Sequence, residues 1–323
     1  MTMNGTDLVQ AECDVFLRNY ALMLKDDFWP SDIVRIAAAG IAMAGRQTPD
    51  MERIDFCRRL MKAREGFFST LRGTGSYVYI IKMAMSDDPE AYLEHLSQVH
   101  AMLKTSIFES GISVTAAMNI VDIVPPEQYA VIVKRTLDIY DEMKSAHWFM
   151  TSEEDMAFAA LMAMTGDSPY VIHRKAEEIY GILKGTLRVH DNTIQTISHI
   201  LSLYDGEIVP MCNMVVQLFD SLKEAGHAMD TNSTAVVLST FAASRTEIRD
   251  LIMNIAAADD YLIQFKPFRG FFGQSARIRR MIAVLCVQRA ENSADSGLSA
   301  SVTAAVMISI VIRAAQAAAA AAT

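Results

Sequence analysis

The chain has 323 residues, of which 51% are hydrophobic, with only 8 prolines and 15 glycines beside 21 methionines. This composition is typical of a helical protein with a sizeable core, and it argues against disorder. The formal net charge of -9 argues against a general nucleic-acid binder, because the phosphate backbone favours clustered lysine and arginine.

Targeting features point to a cytoplasmic protein. The first residues, MTMNGTDLVQAECD, lack the basic start and apolar run of a secretion signal. The cysteines at positions 13, 57, 212 and 286 are scattered, which indicates core residues in a reducing compartment. The apolar stretch from Val302 to Thr323 contains Arg313 and Gln316, so we expect a packed last helix and not a membrane anchor.

Amphipathic segments follow one another along the whole chain. The periodicity predicts a leading helix near 6–24, then helical hairpins near 31–64, 70–104, 112–144, 151–184, 191–224 and 231–264, and a final pair near 274–318. In each hairpin the first helix is apolar nearly all round, and the second carries a polar face.

Two sequence markers recur about every 40 residues. One is a lysine after an apolar residue, at positions 62, 104, 144, 184 and 223, and the other is a proline, at positions 49, 89, 126, 169 and 210. Proline suits the first turn of a helix and lysine suits the last. Thr48, Asp88 and Ser168 stand before three of these prolines as expected caps.

The fold class that follows is all-α, with tandem helical hairpins of about 40 residues forming an α/α superhelix, or solenoid. We expect an N-terminal helix in 1–30, hairpin repeats in 31–264, and a basic, aromatic loop with terminal helices and an alanine-rich tail in 265–323.

An acidic block is the most prominent candidate ligand site. Thr151, Glu153, Glu154 and Asp155 follow His147 within HWFMTSEED. Thr151 and Glu154 have the spacing of a capping box, which is the plainer interpretation. Carboxylates beside an imidazole could also bind a ligand. The seven histidines are scattered and form no HxxxH or HExxH pair, so no metal site is expected.

Two further segments carry candidate anion sites. Arg72 lies in the glycine-containing turn RGTG, where an arginine and free backbone N–H groups could hold an anion. Residues 261–290 contain no acid and six cations. We expect either that this segment contacts an anionic partner or that its arginines neutralise acids on neighbouring helices. The candidates are Lys266, Arg269, Arg277, Arg279 and Arg280.

Three stretches carry a family resemblance: YDEMKSAHWFMTSEEDMAFAALMAM (140–164), LRG (71–73) and ISHILSL (197–203). The chain resembles a bacterial family catalogued as domain of unknown function 4003. The resemblance covers most of the chain and implies a cytosolic, mainly helical protein. It assigns no catalytic residue.

Two functions are compatible with these features. The first is a scaffold that binds a protein or peptide on the concave surface of the array. The second is an enzyme or small-molecule binder on a closed α/α toroid, with Asp87, Asp88 and the acidic block supplying general acids or bases. The sequence identifies no cofactor.

Overall fold

A computed structural model describes the chain apart from residues 1–4, 26–27, 30, 65–75, 105–111, 147–154, 232–233, 243, 270–275, 292–299 and 321–323. Within helices, the side chains of residues 112–113, 146, 300–303 and 315–320 are also not described. The described residues form helices and no strand, which confirms the all-α prediction.

The α-helices are α1 (Gly5–Met23), α2 (Asp32–Ala44), α3 (Met51–Arg64), α4 (Ser76–Met85), α5 (Pro89–Lys104), α6 (Ile112–Ile123), α7 (Tyr129–Ala146), α8 (Met156–Ala163), α9 (Pro169–Thr186), α10 (Asp191–Leu201), α11 (Ile208–Glu224), α12 (Ile248–Leu262), α13 (Ala276–Glu291) and α14 (Ala300–Ala320). A 3₁₀ turn at Pro126–Gln128 leads into α7, and a 3₁₀ helix spans Thr234–Phe241.

The observed helices follow the predicted segments closely, with one difference in type. The first half of the pair expected near 231–264 is a 3₁₀ helix and not an α-helix. Its sequence, TAVVLSTF, is rich in β-branched residues, which are weaker helix formers than alanine and leucine. Apolar patterning therefore located this element correctly but did not specify its hydrogen bonding.

Two kinds of helix alternate along the chain as far as α13. The inner helices have a long run of consecutive buried residues, such as Met156–Ala163 in α8, and they are α2, α4, α6, α8, α10, the 3₁₀ helix, α13 and α14. The outer helices bury one stripe each, as α9 does with Ile172, Ala176, Ile179 and Leu183. The outer helices are α1, α3, α5, α7, α9, α11 and α12. A helix buried on all sides needs neighbours all round it.

The helix contacts bring distant parts of the chain together. Most outer helices have two kinds of neighbour. One is an inner helix adjacent in sequence, and the other is another outer helix, as seen for α3, α5, α7, α9 and α11. The first helix, α1, packs against α12 and α13 as well as α2. The last helix, α14, packs against α2, α6, α8 and the 3₁₀ helix. A Cβ atom at Gly40 of α2 would lie 3.6 Å from the side chain of Val311 of α14, so the two helices are close at this point.

The helix starts agree with the proline marker at most positions. Asp88 and Ser168 cap α5 and α9, because their side-chain oxygens accept hydrogen bonds from backbone N–H groups of the first turn. The prediction of Thr48 as a cap is wrong. Helix α3 begins at Met51, and the carboxylate of Asp50 accepts from the N–H groups of Glu52 and Arg53.

A cation on an outer helix binds backbone carbonyls near the end of the next inner helix at three places. Arg53 of α3 donates to the carbonyl oxygens of Ser86 and Asp87, after α4. Arg135 of α7 donates to Ala163 (2.9 Å) and Asp167 (2.6 Å), and Lys175 of α9 donates to Tyr204 (2.6 Å). These carbonyls lack intrahelical partners and carry the negative end of the helix dipole, so a cation stabilises them.

Among the helices that the structure describes, none combines the length and the apolar character that crossing a membrane requires.

Candidate functional site

Five polar side chains from four inner helices meet in the apolar interior. They are Asn119 on α6, Asp155 immediately before α8, His199 in the last turn of α10, and Ser309 and Arg313 on α14. Ser309 and Arg313 are four residues apart and therefore share one face of α14. We refer to these five residues as the interior polar cluster.

One half of the interior polar cluster is neutral. The Asn119 side-chain amide donates to the backbone oxygen of Ala157 (3.1 Å) and to the Ser309 hydroxyl oxygen (3.2 Å). These two hydrogen bonds tie α6 to the first turn of α8 and to α14. Because Ala157 follows Asp155 by two residues, the neutral half adjoins the charged half.

The charged half centres on the carboxylate of Asp155. Its Oδ1 atom lies 3.6 Å from Nδ1 of His199 and 3.6 Å from Nη1 of Arg313. Both separations are longer than a hydrogen bond but short enough for strong electrostatic attraction in a buried place. The side chains of Asp155 and His199 are 3% and 5% exposed, and that of Arg313 is 19% exposed. Arg313 therefore marks the side of the cluster nearest to solvent.

Buried polar atoms of Asn119 and His199 have no hydrogen-bond partner in the described part of the chain. The atoms are Oδ1 of Asn119 and Nδ1 of His199. Leaving a buried polar atom unpaired costs about 1 to 3 kcal/mol. Native proteins carry few such atoms, and those they carry are often found where a ligand, an ion or a reaction makes use of them. The cluster is therefore the strongest candidate site among the residues that the structure describes.

The structure locates only one residue of the predicted acidic block. Asp155 lies in the interior polar cluster, whereas His147, Thr151, Glu153 and Glu154 lie outside the described residues. The same holds for Arg72. In the part of the chain that the structure describes, no group of three or more His, Cys, Asp and Glu side chains is arranged to hold a metal ion.

The other carboxylates considered for acid or base chemistry lie elsewhere. The side chain of Asp88 caps α5, and the backbone oxygen of Asp87 accepts from Arg53. Neither belongs to the interior polar cluster.

The arginines of the basic segment bind a buried acid. Arg279 donates to both carboxylate oxygens of Asp259 (2.6 and 3.3 Å), Arg280 donates to one of them (3.3 Å), and His227 Nδ1 lies 2.8 Å from the same oxygen. We call these four residues the Asp259 network. Burial alone would raise the pKa of Asp259, but hydrogen bonds from Arg279 and His227 and the arginine charges outweigh it and lower that pKa.

The Asp259 network joins three elements. Arg280 also donates to the backbone oxygens of Ala228 (2.6 Å) and Gly226 (3.1 Å) after α11, while Asp259 belongs to α12 and the arginines to α13. Arg277 lies 3.6 Å from the carboxylate of Asp230. These contacts fit the interpretation in which the segment neutralises acids on neighbouring helices. Lys266 and Arg269 are exposed and stay candidates for contact with an anionic partner.

Exposed apolar side chains recur at the starts of three neighbouring outer helices. Val131 of α7, Tyr170 and Val171 of α9, and Val209 of α11 are 62%, 62%, 49% and 54% exposed. Helix α9 packs against both α7 and α11, so these residues lie on adjacent helices. We call them the outer apolar ridge. The exposed carboxylates in the chain just before each helix are Glu127, Asp167, Asp205 and Glu207.

Sequence reasoning missed four members of the interior polar cluster. Asn119, His199 and Ser309 interrupt segments that are otherwise apolar, and a polar residue in a fully buried helix was the signal that could have identified them. Arg313 was noticed only as a charge that argued against a membrane helix. No local motif links these residues, because they come from separate helices.

Comparison with known proteins identifies the family and nothing more specific. Neither a curated protein nor a solved structure shows significant similarity to the chain. A family model described as "Protein of unknown function (DUF4003)" matches residues 19–317. Because this match covers nearly the whole chain, the protein belongs to the DUF4003 family.

Proposed function

We propose that the protein binds a small organic acid at the interior polar cluster. The observation that carries this proposal is the buried, unpaired Nδ1 atom of His199, which faces the carboxylate of Asp155 with Arg313 beside it. An unpaired imidazole next to two charges is costly unless a bound molecule supplies the missing hydrogen bond.

The proposal includes a closed arrangement of the helices. In this arrangement the inner and outer helices form two concentric layers of an α/α superhelix whose ends meet, and α14 lies among the inner helices. The contacts of α1 with α12 and α13 support closure, and the contacts of α14 with α2, α6 and α8 support its central position. The interior polar cluster, between α14 and the other inner helices, would then lie in a water-poor interior where charges interact strongly.

The charges of the interior polar cluster favour a ligand with two kinds of group. The planar guanidinium of Arg313 matches a carboxylate, which it can bind through two parallel hydrogen bonds. The carboxylate of Asp155 accepts hydrogen bonds, so it favours a ligand that also carries a hydroxyl or amino donor. We therefore expect a hydroxy acid or an amino acid, and not a simple anion such as phosphate.

Glycolate provides the first test, because it has one carboxylate and one hydroxyl group. We expect millimolar glycolate to raise the melting temperature of the purified protein, whereas acetate, which lacks the donor, and ethylene glycol, which lacks the carboxylate, should raise it less. Losing a hydrogen bond to a charged group costs about 1.5 to 3 kcal/mol, so Arg313→Gln and His199→Gln should weaken glycolate binding roughly 10- to 100-fold in calorimetry.

Lys134→Gln serves as the control variant, since Lys134 is an exposed residue of α7 outside the interior polar cluster. It should bind glycolate like the wild type. The proposal is wrong if glycolate, lactate, malate and serine all leave the melting temperature unchanged and native mass spectrometry detects no co-purified small molecule. If acetate raises the melting temperature as much as glycolate does, only the role proposed for Asp155 is contradicted.

A second candidate function, the binding of a peptide, is favoured by the outer apolar ridge. Large apolar side chains that are half exposed or more on three adjacent helices form a surface suited to docking. The nearby carboxylates Glu127, Asp167 and Glu207 add negative charge. The matching partner is an amphipathic helix with apolar residues on one face and lysine or arginine beside them. The scaffold role expected from the sequence would then use the outer surface, because α14 covers the inner helices.

A fluorescent amphipathic peptide of leucine and lysine is the probe for this second function. We expect its anisotropy to rise with protein concentration. A Val131→Ser, Tyr170→Ser, Val209→Ser variant should bind it at least roughly tenfold more weakly, since even one large apolar contact contributes about 1.5 to 3 kcal/mol when fully buried. Met253→Ser is the control, because Met253 is an exposed apolar residue of α12 outside the ridge. Equal binding by the triple variant, or concentration-dependent dimers in light scattering, would contradict a basic peptide as the occupant.

A further inference from the structure

Three sulfur-containing side chains from three helices converge in the core. Cys13 belongs to α1, Met43 to α2 and Cys286 to α13, and none of them is exposed. The Cys286 thiol donates to the thioether sulfur of Met43 at 3.7 Å. The thiol of Cys13 neighbours that of Cys286. We call these three residues the sulfur cluster.

The spacing of the sulfur cluster fits coordination of a metal ion. For metal–sulfur bonds of about 2.3 Å, the length found for zinc and thiolate sulfur, the 3.7 Å separation of the Cys286 and Met43 sulfurs corresponds to an angle of about 107° at the metal. Such an angle is close to the tetrahedral value. The existing contact between the Cys286 and Met43 sulfurs holds these two atoms near the distance that coordination requires.

The donor set indicates which metal ion would bind. Two thiolates and a thioether are soft ligands, and soft sulfur ligands select Cu(I) over harder divalent cations. Zinc is less suitable because its protein ligands are thiolate, imidazole and carboxylate groups, and thioether is not among them. The sulfur cluster contains no imidazole and no carboxylate.

Two opposite charges, Arg289 and Glu12, lie close to the sulfur cluster. Binding of one Cu(I) ion would displace the protons of Cys13 and Cys286, so two protons leave and the bound group has a net charge of -1. Arg289, one turn after Cys286 on α13, is largely buried, and its Nε atom has no hydrogen-bond partner in the described part of the chain. Glu12 lies 3.9 Å away and forms an ion pair with this cation.

A cavity adjoins the sulfur cluster. A half-open cavity of about 250 Å³ lies between α1 and α12, and Cys13 contributes to its wall together with Val9, Gln10, Ala258 and Tyr261. Cys13 is therefore the member of the sulfur cluster that borders the cavity.

From the sulfur cluster and the adjoining cavity, we propose that Cys13, Met43 and Cys286 form a binding site for one Cu(I) ion. This site is separate from the interior polar cluster, whose residues belong to α6, α8, α10 and α14. Its presence or absence leaves the proposed binding of an organic acid unaffected.

Anaerobic competition with the chromophoric Cu(I) chelator bicinchoninate tests the proposal. We expect the wild-type protein to withdraw one Cu(I) per chain from the chelator, and X-ray absorption to show sulfur atoms only around the bound copper. Loss of a residue that only orients a metal ligand weakens metal binding roughly 10- to 100-fold. Because Cys13, Cys286 and Met43 would be ligands themselves, Cys13→Ser, Cys286→Ser and Met43→Leu should each weaken Cu(I) binding at least that much.

The chain contains its own matched controls. Cys57 on α3 and Cys212 on α11 are equally buried, so Cys57→Ser and Cys212→Ser should keep wild-type Cu(I) affinity. Circular dichroism of each variant shows whether it folds, and Met43→Leu nearly conserves side-chain volume. The proposal is overturned if the folded wild type fails to compete with the chelator, or if Met43→Leu and Cys286→Ser bind Cu(I) as tightly as the wild type.

Discussion

Replacing Asp259 with asparagine is expected to lower the free energy of unfolding by about 3 to 5 kcal/mol, the cost typical of removing one partner from a buried ion pair. The side chain of Asp259 is 2% exposed, and it is the shared acceptor for Arg279, Arg280 and His227. Without the carboxylate charge, Arg279 stays buried with no acid to balance it. The substitution keeps the shape of the side chain, so the lost stability measures the contribution of its charge and hydrogen bonds.

Chemical denaturation at neutral pH measures this effect. Asp260→Asn is the control, because Asp260 is the next residue of α12 and its side chain is exposed. We expect the control to change the free energy of unfolding by about 0.5 kcal/mol or less. A loss below about 1 kcal/mol for Asp259→Asn would mean that the Asp259 network contributes little to stability.

The difference in the free energy of unfolding between wild type and Asp259→Asn should depend on pH, because the pKa of Asp259 is lowered in the folded protein. A carboxyl group with a lower pKa in the folded state stabilises that state above its unfolded pKa, which is about 3.9 for aspartate. This contribution disappears as the pH falls from there through the folded pKa. The difference in stability between wild type and Asp259→Asn should therefore be constant near neutral pH and shrink below about pH 4. A difference that grows on acidification would contradict the direction of the pKa shift.

Removing α14 is expected to abolish the stable native state. Val306, Ile308, Ile310 and Val311 of this helix are fully buried, and burying four such side chains contributes about 6 to 12 kcal/mol. This amount is comparable to the whole stability of a typical domain, about 5 to 15 kcal/mol. The partners of α14 on α2, α6, α8 and the 3₁₀ helix would become exposed at the same time.

A chain that ends at residue 299 tests this expectation. We expect it to aggregate, or to bind the dye ANS and unfold without a cooperative transition. A chain that ends at residue 320 is the control, because it retains all of α14. If the shorter chain unfolds cooperatively at the wild-type temperature, α14 is an accessory helix and its packing carries little of the stability.

The sequence was informative about the helices because their signals are local. Proline and capping residues such as Asp88 and Ser168 mark helix starts, and lysines such as Lys184 mark helix ends within a few residues. Continuous apolar runs distinguished inner from outer helices, since a buried helix needs no polar face. The start of α3 was misplaced because Thr48 and Asp50 are both good caps, and only the structure shows which carboxylate or hydroxyl is used.

The candidate site was much harder to predict, because its members are distant in sequence. Asp155 was singled out for its acidic neighbours, but nothing near it indicates that His199 of α10 and Arg313 of α14 approach its carboxylate. Their meeting depends on how α14 packs against the inner helices, and helical periodicity does not determine that packing. The acid that binds Arg279 was easier to anticipate, because Asp259 lies on the preceding helix.

The packing of α1 against α12 and α13 has a consequence for synthesis on the ribosome. The apolar stripe of α1, which includes Val9, Cys13, Phe16 and Tyr20, leaves the exit tunnel long before those two helices are translated. Until then this stripe lacks two of the helices that it packs against in the folded protein, and such exposed apolar surface promotes aggregation of nascent chains. Chaperones that bind emerging polypeptides are therefore expected to engage this helix early and to release it only after α12 and α13 have emerged.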